Sequence, residues 1–109
     1  MLWEECEKVK EQLDQALSTW RENGIKWAEA EREYRILKSK QELRLRAENM
    51  PVTLIPDIVK GLPEVADLDF NRSACLVVYK ANEEAIKVKK LELKTLEAEL
   101  EREYGKTEP

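Results

Sequence analysis

A chain of 109 residues with 39% charged side chains, three glycines and four prolines has the composition of one domain built from long, exposed helices. Because histidine is absent, the usual Ser or Cys hydrolase triads and histidine metal sites are excluded. No segment has the roughly 20 apolar residues that span a bilayer, and the first residues lack the regions of a secretory signal, so we expect a cytoplasmic protein.

The first predicted element is an amphipathic helix over residues 2–48. Its apolar residues recur in steps of three and four: Leu2, Cys6, Val9, Leu13, Ala16, Trp20, Gly24, Trp27, Tyr34 and Leu37. The pair Asn23-Gly24 can end a helix, which would give a three-helix bundle. Gly24 nevertheless lies on the apolar stripe, where a small residue admits a neighbouring helix. We therefore expect a continuous or gently kinked helix.

Residues 49–62 are predicted to form a connector. Prolines at 51, 56 and 63 and Gly61 bar a regular helix, although one helical turn fits over Pro56–Lys60. Seven apolar side chains crowd this segment: Met50, Val52, Leu54, Ile55, Ile58, Val59 and Leu62. The favoured interpretation is a hydrophobic cap folded back on the hairpin tip. The alternative is an exposed tip that binds a partner, formed by Val52, Leu54, Ile55, Ile58 and Val59.

A second helix is predicted over residues 63–104, with Pro63 at its first position and Gly105 just past its end. Its apolar stripe is Val65, Leu68, Cys75, Tyr79, Ile86, Leu93, Leu96, Leu100 and Tyr104, interrupted by Arg72, Asn82 and Lys89. A second row is Ala74, Val78, Ala81, Ala85 and Val88. One partner helix cannot cover so wide a face, which predicts contact with a second copy or another protein.

Two helices of similar length joined by a short connector favour an all-α fold, a long antiparallel, coiled-coil-like hairpin in a single domain of residues 1–109. Residue i of the first helix is expected near residue 112 minus i of the second. In that register Cys6 and Cys75 lie too far apart for a disulfide, so reduced thiols are expected. The wide apolar face predicts a homodimer that forms a four-helix bundle.

Carboxylate pairs at helical spacing could hold Mg²⁺. The candidates are Glu4 with Glu7, Glu64 with Asp67, Glu97 with Glu101, and Glu99 with Glu103. The favoured interpretation is that these residues form ordinary solvated helix faces. Three isolated glycines cannot build a phosphate-binding loop. We expect no catalysis, no cofactor, no metal and no small-molecule substrate.

Basic residues concentrate in the middle of both helices and could form a belt that attracts nucleic acid. On the first helix they are Arg32, Arg35, Lys38, Lys40, Arg44 and Arg46, and on the second Arg72, Lys80, Lys87, Lys89 and Lys90. Against nucleic-acid binding, the net charge is −4 and the tyrosines fall on the apolar stripes. Ion-paired, solvated faces are the favoured interpretation.

Three sequence runs carry a resemblance that covers roughly residues 24–104. They are WAEAEREYR at 27–35, LRAENMPVTLIPD at 45–57 and VYKA at 78–81. This order of helix and hinge resembles small uncharacterised proteins of bacteriophages and prophages in low-GC Gram-positive bacteria. Such proteins are often encoded among replication and recombination genes, which implies an accessory role near DNA or its enzymes in the host cytoplasm. The resemblance includes no catalytic signature and assigns no functional residues.

Taken together, the sequence predicts a non-enzymatic interaction or adaptor protein that dimerises and contacts an unknown protein partner. The alternative is a nucleic-acid-binding accessory factor of a phage replication or recombination module.

Overall fold

A computed structural model describes residues 1–105, which form three helices and no strand. They are α1, Leu2–Ala47, α2, Ile55–Gly61, and α3, Pro63–Gly105. The prediction of an all-α helical hairpin is confirmed. The helix expected over Pro56–Lys60 is present as α2. Gly105 lies in the last turn of α3, one position inside the helix that it was expected to follow.

Helix α1 continues through Asn23-Gly24 without a break. The alternative in which the first helix ends at this pair, to give a three-helix bundle, is therefore wrong. The small size of Gly24 serves a close approach of α3. A Cβ atom at Gly24 would lie 3.1 Å from Cε2 of Tyr79. The Tyr79 ring in turn stacks on Trp27, with 5.5 Å between ring centroids. Gly24 thus lets an aromatic pair occupy the space between the two helices.

The end of α1 is fixed by a left-handed residue followed by proline. Asn49 has a φ of 63°, and its N–H donates to the carbonyl of Arg46. The N–H of Met50 donates to the carbonyl of Leu45 over 3.0 Å. These bonds form a Schellman motif, which satisfies carbonyls that a helix end leaves unpaired. Pro51 follows, and proline cannot continue a helix.

Proline also separates α2 from α3. Leu62 is extended, with a ψ of 129°, because the ring of Pro63 disfavours the helical conformation of the residue before it. Pro63 then opens α3, where its missing N–H costs no helical bond. The first backbone bond of α3 runs from the N–H of Ala66 to the carbonyl of Leu62, over 2.8 Å.

The chain divides into two compact units, each of which contains a segment of α1 antiparallel to a segment of α3. Unit 1 comprises Met1–Glu22 and the chain from Lys80 onward, and unit 2 comprises Asn23–Tyr79. Among residues 1–22 and 80–105 of unit 1, three apolar side chains are buried, those of Cys6, Val9 and Ile86. Both cysteines are free thiols. The assignment of one domain over residues 1–109 stays a prediction.

The core of unit 2 joins all three helices near the connector. Its buried members are Tyr34 and Leu45 from α1, Ile55 and Val59 from α2, and Val65 from α3. Partly buried side chains surround them: Leu37, Met50, Ile58, Leu62 and Leu68. The connector is therefore folded against the hairpin, as the favoured interpretation of its apolar residues required.

The helix register differs from the expected one. In unit 2, Gly24 lies against Tyr79 where residue 88 was expected, a shift of nine residues. In unit 1, Gln12 bonds to Lys89 where residue 100 was expected. From the sequence, the end of α1 was expected to lie beside the start of α3. Instead, α2 packs on Leu45 near the end of α1, so α3 meets α1 at an earlier point.

Alanine substitutions at Gly24 and Gly61 give a matched test of stability, because the space around the two residues differs. Both Gly24 and Gly61 are helical, and alanine favours a helix by about 1 kcal/mol over glycine. A Cβ at Gly61 meets nothing within 4 Å. We expect Gly61→Ala to raise the free energy of unfolding by about 0.5 kcal/mol or more. Gly24→Ala should gain less or destabilise, because the Tyr79 ring must move. Urea denaturation measures both, and equal gains would contradict the close approach.

The connector core yields a second test. Val59 is fully buried and Val52 is 67% exposed, so Val59→Ala should lower the free energy of unfolding by about 2 kcal/mol. Val52→Ala should change it by less than about 0.5 kcal/mol. Denaturation midpoints compare the two variants. Similar effects would show that α2 does not pack against the hairpin in solution.

Candidate interaction surfaces

A polar cluster links α1 to α3 inside unit 2. The Arg72 guanidinium on α3 donates from Nη1 to Oε2 of Glu31 over 3.0 Å and from Nε to Oδ1 of Asp69 over 2.8 Å. The same guanidinium lies over the Tyr34 ring, 4.1 Å from its centroid. A planar guanidinium suits this combination of carboxylate bonding and aromatic stacking. Arg72, expected in the basic belt, is instead held between the helices.

Glu31 receives a second bond, from Nε of Arg35 over 3.1 Å. The hydrogen bond from Arg72 is the main cause of a lowered pKa for the Glu31 carboxyl, and Arg35 adds to it against the opposing effect of burial. The hydrogen bond that Arg72 donates to Glu31 likewise raises the pKa of Arg72. Both groups are therefore held in their charged forms.

Unit 1 contains a similar cross-helix bond at another interruption of the apolar stripe. Nζ of Lys89 on α3 donates to Oε1 of Gln12 on α1 over 2.8 Å, and to Glu92 over 3.2 Å. Arg72 and Lys89 were both assigned to the basic belt, yet each contacts α1. In the sequence, both residues could be recognised because each is a polar residue at a position of the apolar stripe.

The remaining basic residues of the proposed belt fall into separate units. Arg32, Arg35, Lys38, Lys40, Arg44 and Arg46 lie in unit 2, whereas Lys80, Lys87 and Lys90 lie in unit 1. Within the described chain, four of these nine form ion pairs. They are Arg35 with Glu31, Lys38 with Glu42, Arg44 with Glu48, and Lys87 with Glu84. Neighbouring carboxylates thus offset part of the positive charge on each helix.

The candidate partner-binding tip is only partly exposed. Ile55 and Val59 are buried in the core of unit 2, and Ile58 is half-buried against it. Val52 and Leu54 remain at least half exposed. These two side chains are the part of the predicted tip that a partner could contact.

Each unit carries a larger exposed apolar surface on its segment of α3. All five residues of the predicted second row, Ala74, Val78, Ala81, Ala85 and Val88, are exposed. In unit 2, Phe70 and Val77 add to this surface with 76% and 68% exposure. In unit 1, Leu91 adds to it with 66%. We call these exposed apolar residues of α3 the outer face.

An open groove in unit 2 adjoins the outer face. It has a volume of about 240 Å³ and is lined by Ala74, Cys75 and Val78 from α3 and by Asn23 and Lys26 from α1. The groove is mostly apolar and carries one charged side chain, so its chemistry suits packing more than catalysis.

The carboxylate pairs considered for Mg²⁺ do not assemble into a larger cluster. Among residues 1–105, no three acidic or thiol side chains are placed to hold a metal ion. No helix in this part of the chain is long and apolar enough to cross a membrane. Comparison with known proteins gives no match to a family model, to a curated protein or to a solved structure.

The Glu31–Arg72 bond predicts a pH-dependent stability. A carboxyl whose pKa is lowered on folding stabilises the protein above its ordinary value of 4.5, and this contribution is lost as the pH falls through the lowered value. Glu31→Gln should therefore lower the free energy of unfolding at pH 7, and the difference from wild type should shrink below about pH 4.5. Denaturation from pH 3 to 7 measures it. The control is Glu48→Gln, an exposed partner of Arg44, which should change stability by less than about 0.5 kcal/mol.

A difference between wild type and Glu31→Gln that stayed constant down to pH 3 would contradict the role of the ionised bond. So would an equally large loss in Glu48→Gln at pH 7.

Proposed function

We propose that this chain is a non-enzymatic interaction protein that associates with itself through the outer face of α3. The carrying observation is the exposure of Phe70, Val77, Val88 and Leu91 on a helix that already packs against α1 with its other side. Large apolar side chains grouped in this way characterise protein-binding surfaces. The absence of histidine from the sequence and the apolar character of the unit 2 groove support a binding role over a catalytic one.

The small core of unit 1 is a second support. In the described part of unit 1, the three buried apolar side chains are a thiol, a valine and an isoleucine, whereas each helix exposes a long polar surface. Long helices in water gain most of their stability from packing of an apolar face. A partner on the outer face would supply packing that unit 1 lacks. In this proposal a dimer carries two connectors, each offering Val52 and Leu54 to a further protein.

In this proposal, which here draws on the resemblance to phage and prophage proteins, the adaptor acts in the cytoplasm of an infected or lysogenic bacterium, near the replication and recombination machinery. Direct binding of nucleic acid is less well supported. Arg72 and Lys89 are engaged across the helices, and Arg35, Arg44 and Lys87 bond to carboxylates. A protein partner fits the apolar outer face better than a phosphate backbone does.

The proposal predicts a reversible dimer whose stability depends on the outer face. Leu91→Ser and Phe70→Ser should each weaken self-association at least tenfold, or roughly 1.4 kcal/mol, since every dimer loses two apolar contacts. Analytical ultracentrifugation at micromolar concentration measures the dissociation constant. Helical content in circular dichroism should be retained, because neither side chain is buried within one chain.

The matched controls are Ile25→Ser and Leu43→Ser on α1, whose side chains are 61% and 65% exposed. These variants should leave the dissociation constant unchanged. A wild-type chain that is folded and monomeric throughout the micromolar range would overturn the proposal.

A further inference from the structure

We propose that the outer face in unit 1 binds α3 of a second copy of this chain, aligned parallel and in register. This inference rests on the proposed self-association and adds the orientation of the two copies. Its first support is spacing. Val88, Leu91, Thr95 and Ala98 are all exposed and follow one another in steps of three and four, the repeat of a coiled-coil seam.

The residue types along this seam favour a pair of strands. Val88 takes the first apolar position of the heptad and Leu91 the second, with 61% and 66% exposure in the single chain. Among parallel coiled coils, a β-branched residue at the first position and leucine at the second are the combination that favours two strands over three or four. The preceding positions, Ala81 and Glu84, are also exposed and continue the same spacing toward the start of unit 1.

Between residues 80 and 99, the charges that flank the seam are separated by sign. Lysines occupy one flank at intervals of seven residues, at 80, 87 and 94, and glutamates occupy the other at 92 and 99. In a parallel coiled coil, a residue on the first flank lies near the residue five positions later on the opposite flank of its partner. Lys87 then meets Glu92 of the second copy, and Lys94 meets Glu99 of the second copy.

An antiparallel arrangement would have the opposite electrostatics. Each flank would then face the same flank of the other copy, so lysine would meet lysine and glutamate would meet glutamate. Like charges in such positions suppress the wrong pairing. The present partners of these residues do not prevent exchange. Lys87 bonds to Glu84 and Lys89 to Glu92, each over 3.2 Å within one exposed helix turn, and surface pairs of this kind are weak.

Glu84 is the one carboxylate on the seam, and it explains why the seam is not a stronger apolar stripe. Its side chain is 71% exposed in the single chain. In the parallel dimer the two copies of Glu84 approach each other, each next to Lys87 of its own chain. A polar residue at a seam position weakens a coiled coil while it fixes the register. Glu84→Leu should therefore tighten the dimer by roughly tenfold or more.

Cysteine cross-linking tests the orientation. In a background of Cys6→Ala and Cys75→Ala, the single variants Glu84→Cys and Ala98→Cys place a thiol on the seam at points roughly 21 Å apart along the helix. In the parallel dimer each thiol faces its own equivalent, so both variants should form disulfide dimers under mild oxidation. An antiparallel dimer can bring equivalent residues together at one of these points but not at both. Lys90→Cys, off the seam, is the control and should stay monomeric on denaturing gels.

Charge exchange provides an independent test. Lys87→Glu should weaken the dimer roughly fivefold. The double variant Lys87→Glu with Glu92→Lys should restore it, because the two chains then exchange signs across the parallel seam. In an antiparallel dimer Lys87 faces a lysine of the other copy, so Lys87→Glu should not weaken the dimer and the double variant has no loss to restore. Lys90→Glu with Glu97→Lys, off the seam, is the matched control and should leave association unchanged.

The outcomes separate this inference from the proposed function. Disulfides at both seam positions together with charge rescue would establish the parallel pair. A wild-type dimer with a disulfide at one position or neither, or without rescue, would overturn the orientation and leave self-association standing. A folded monomer that binds only an unrelated protein would overturn both.

Discussion

The bond between Arg72 and Glu31 sets the relation between α1 and α3 in unit 2. It places an arginine on the apolar stripe of α3, where the guanidinium bonds to two carboxylates and covers the Tyr34 ring. A slide of either helix by one turn, about 5.4 Å, would leave these charged groups without each other. Apolar contacts alone tolerate such a slide better, since they lack direction. The polar cluster therefore selects one register from several that the apolar stripes allow.

Periodicity and proline positions predicted the three helices well, because both act within a few residues. The apolar stripes predicted which faces of the helices are apolar, and Pro51 and Pro63 predicted the position of the connector. The expected register was wrong because it left out two tertiary contacts that no local pattern encodes, the packing of α2 in the core with Leu45 and the bond between Arg72 and Glu31. The proposed basic belt is divided between the two units for the same reason. Arg72 and Lys89 were recognised as interruptions of the stripe, but identifying their partners on α1 required the register.

The surface of α3 shows how much of a candidate site can be inferred from sequence. Its second apolar row was visible as a face too wide for one partner, and the structure leaves that row exposed. The predicted tip fared differently, because Ile55 and Val59 turn inward while Val52 and Leu54 stay outside. Seven crowded apolar residues do not reveal which of them point toward the hairpin. In a long helix, by contrast, regular spacing does reveal which residues share a face, because the faces are fixed by 3.6 residues per turn.

The connector also determines how the chain can reach its fold. Leu45 and Ile55 are ten residues apart in sequence, so their contact closes a short loop at little entropic cost. Contacts in unit 1, such as Gln12 with Lys89, close a loop of more than seventy residues if formed first. Folding should therefore nucleate at the proline-rich connector and proceed toward the termini. Each pair of helical turns that forms between α1 and α3 shortens the loop that the next contact must close. In this protein the segment that interrupts the helices is the one that brings them together.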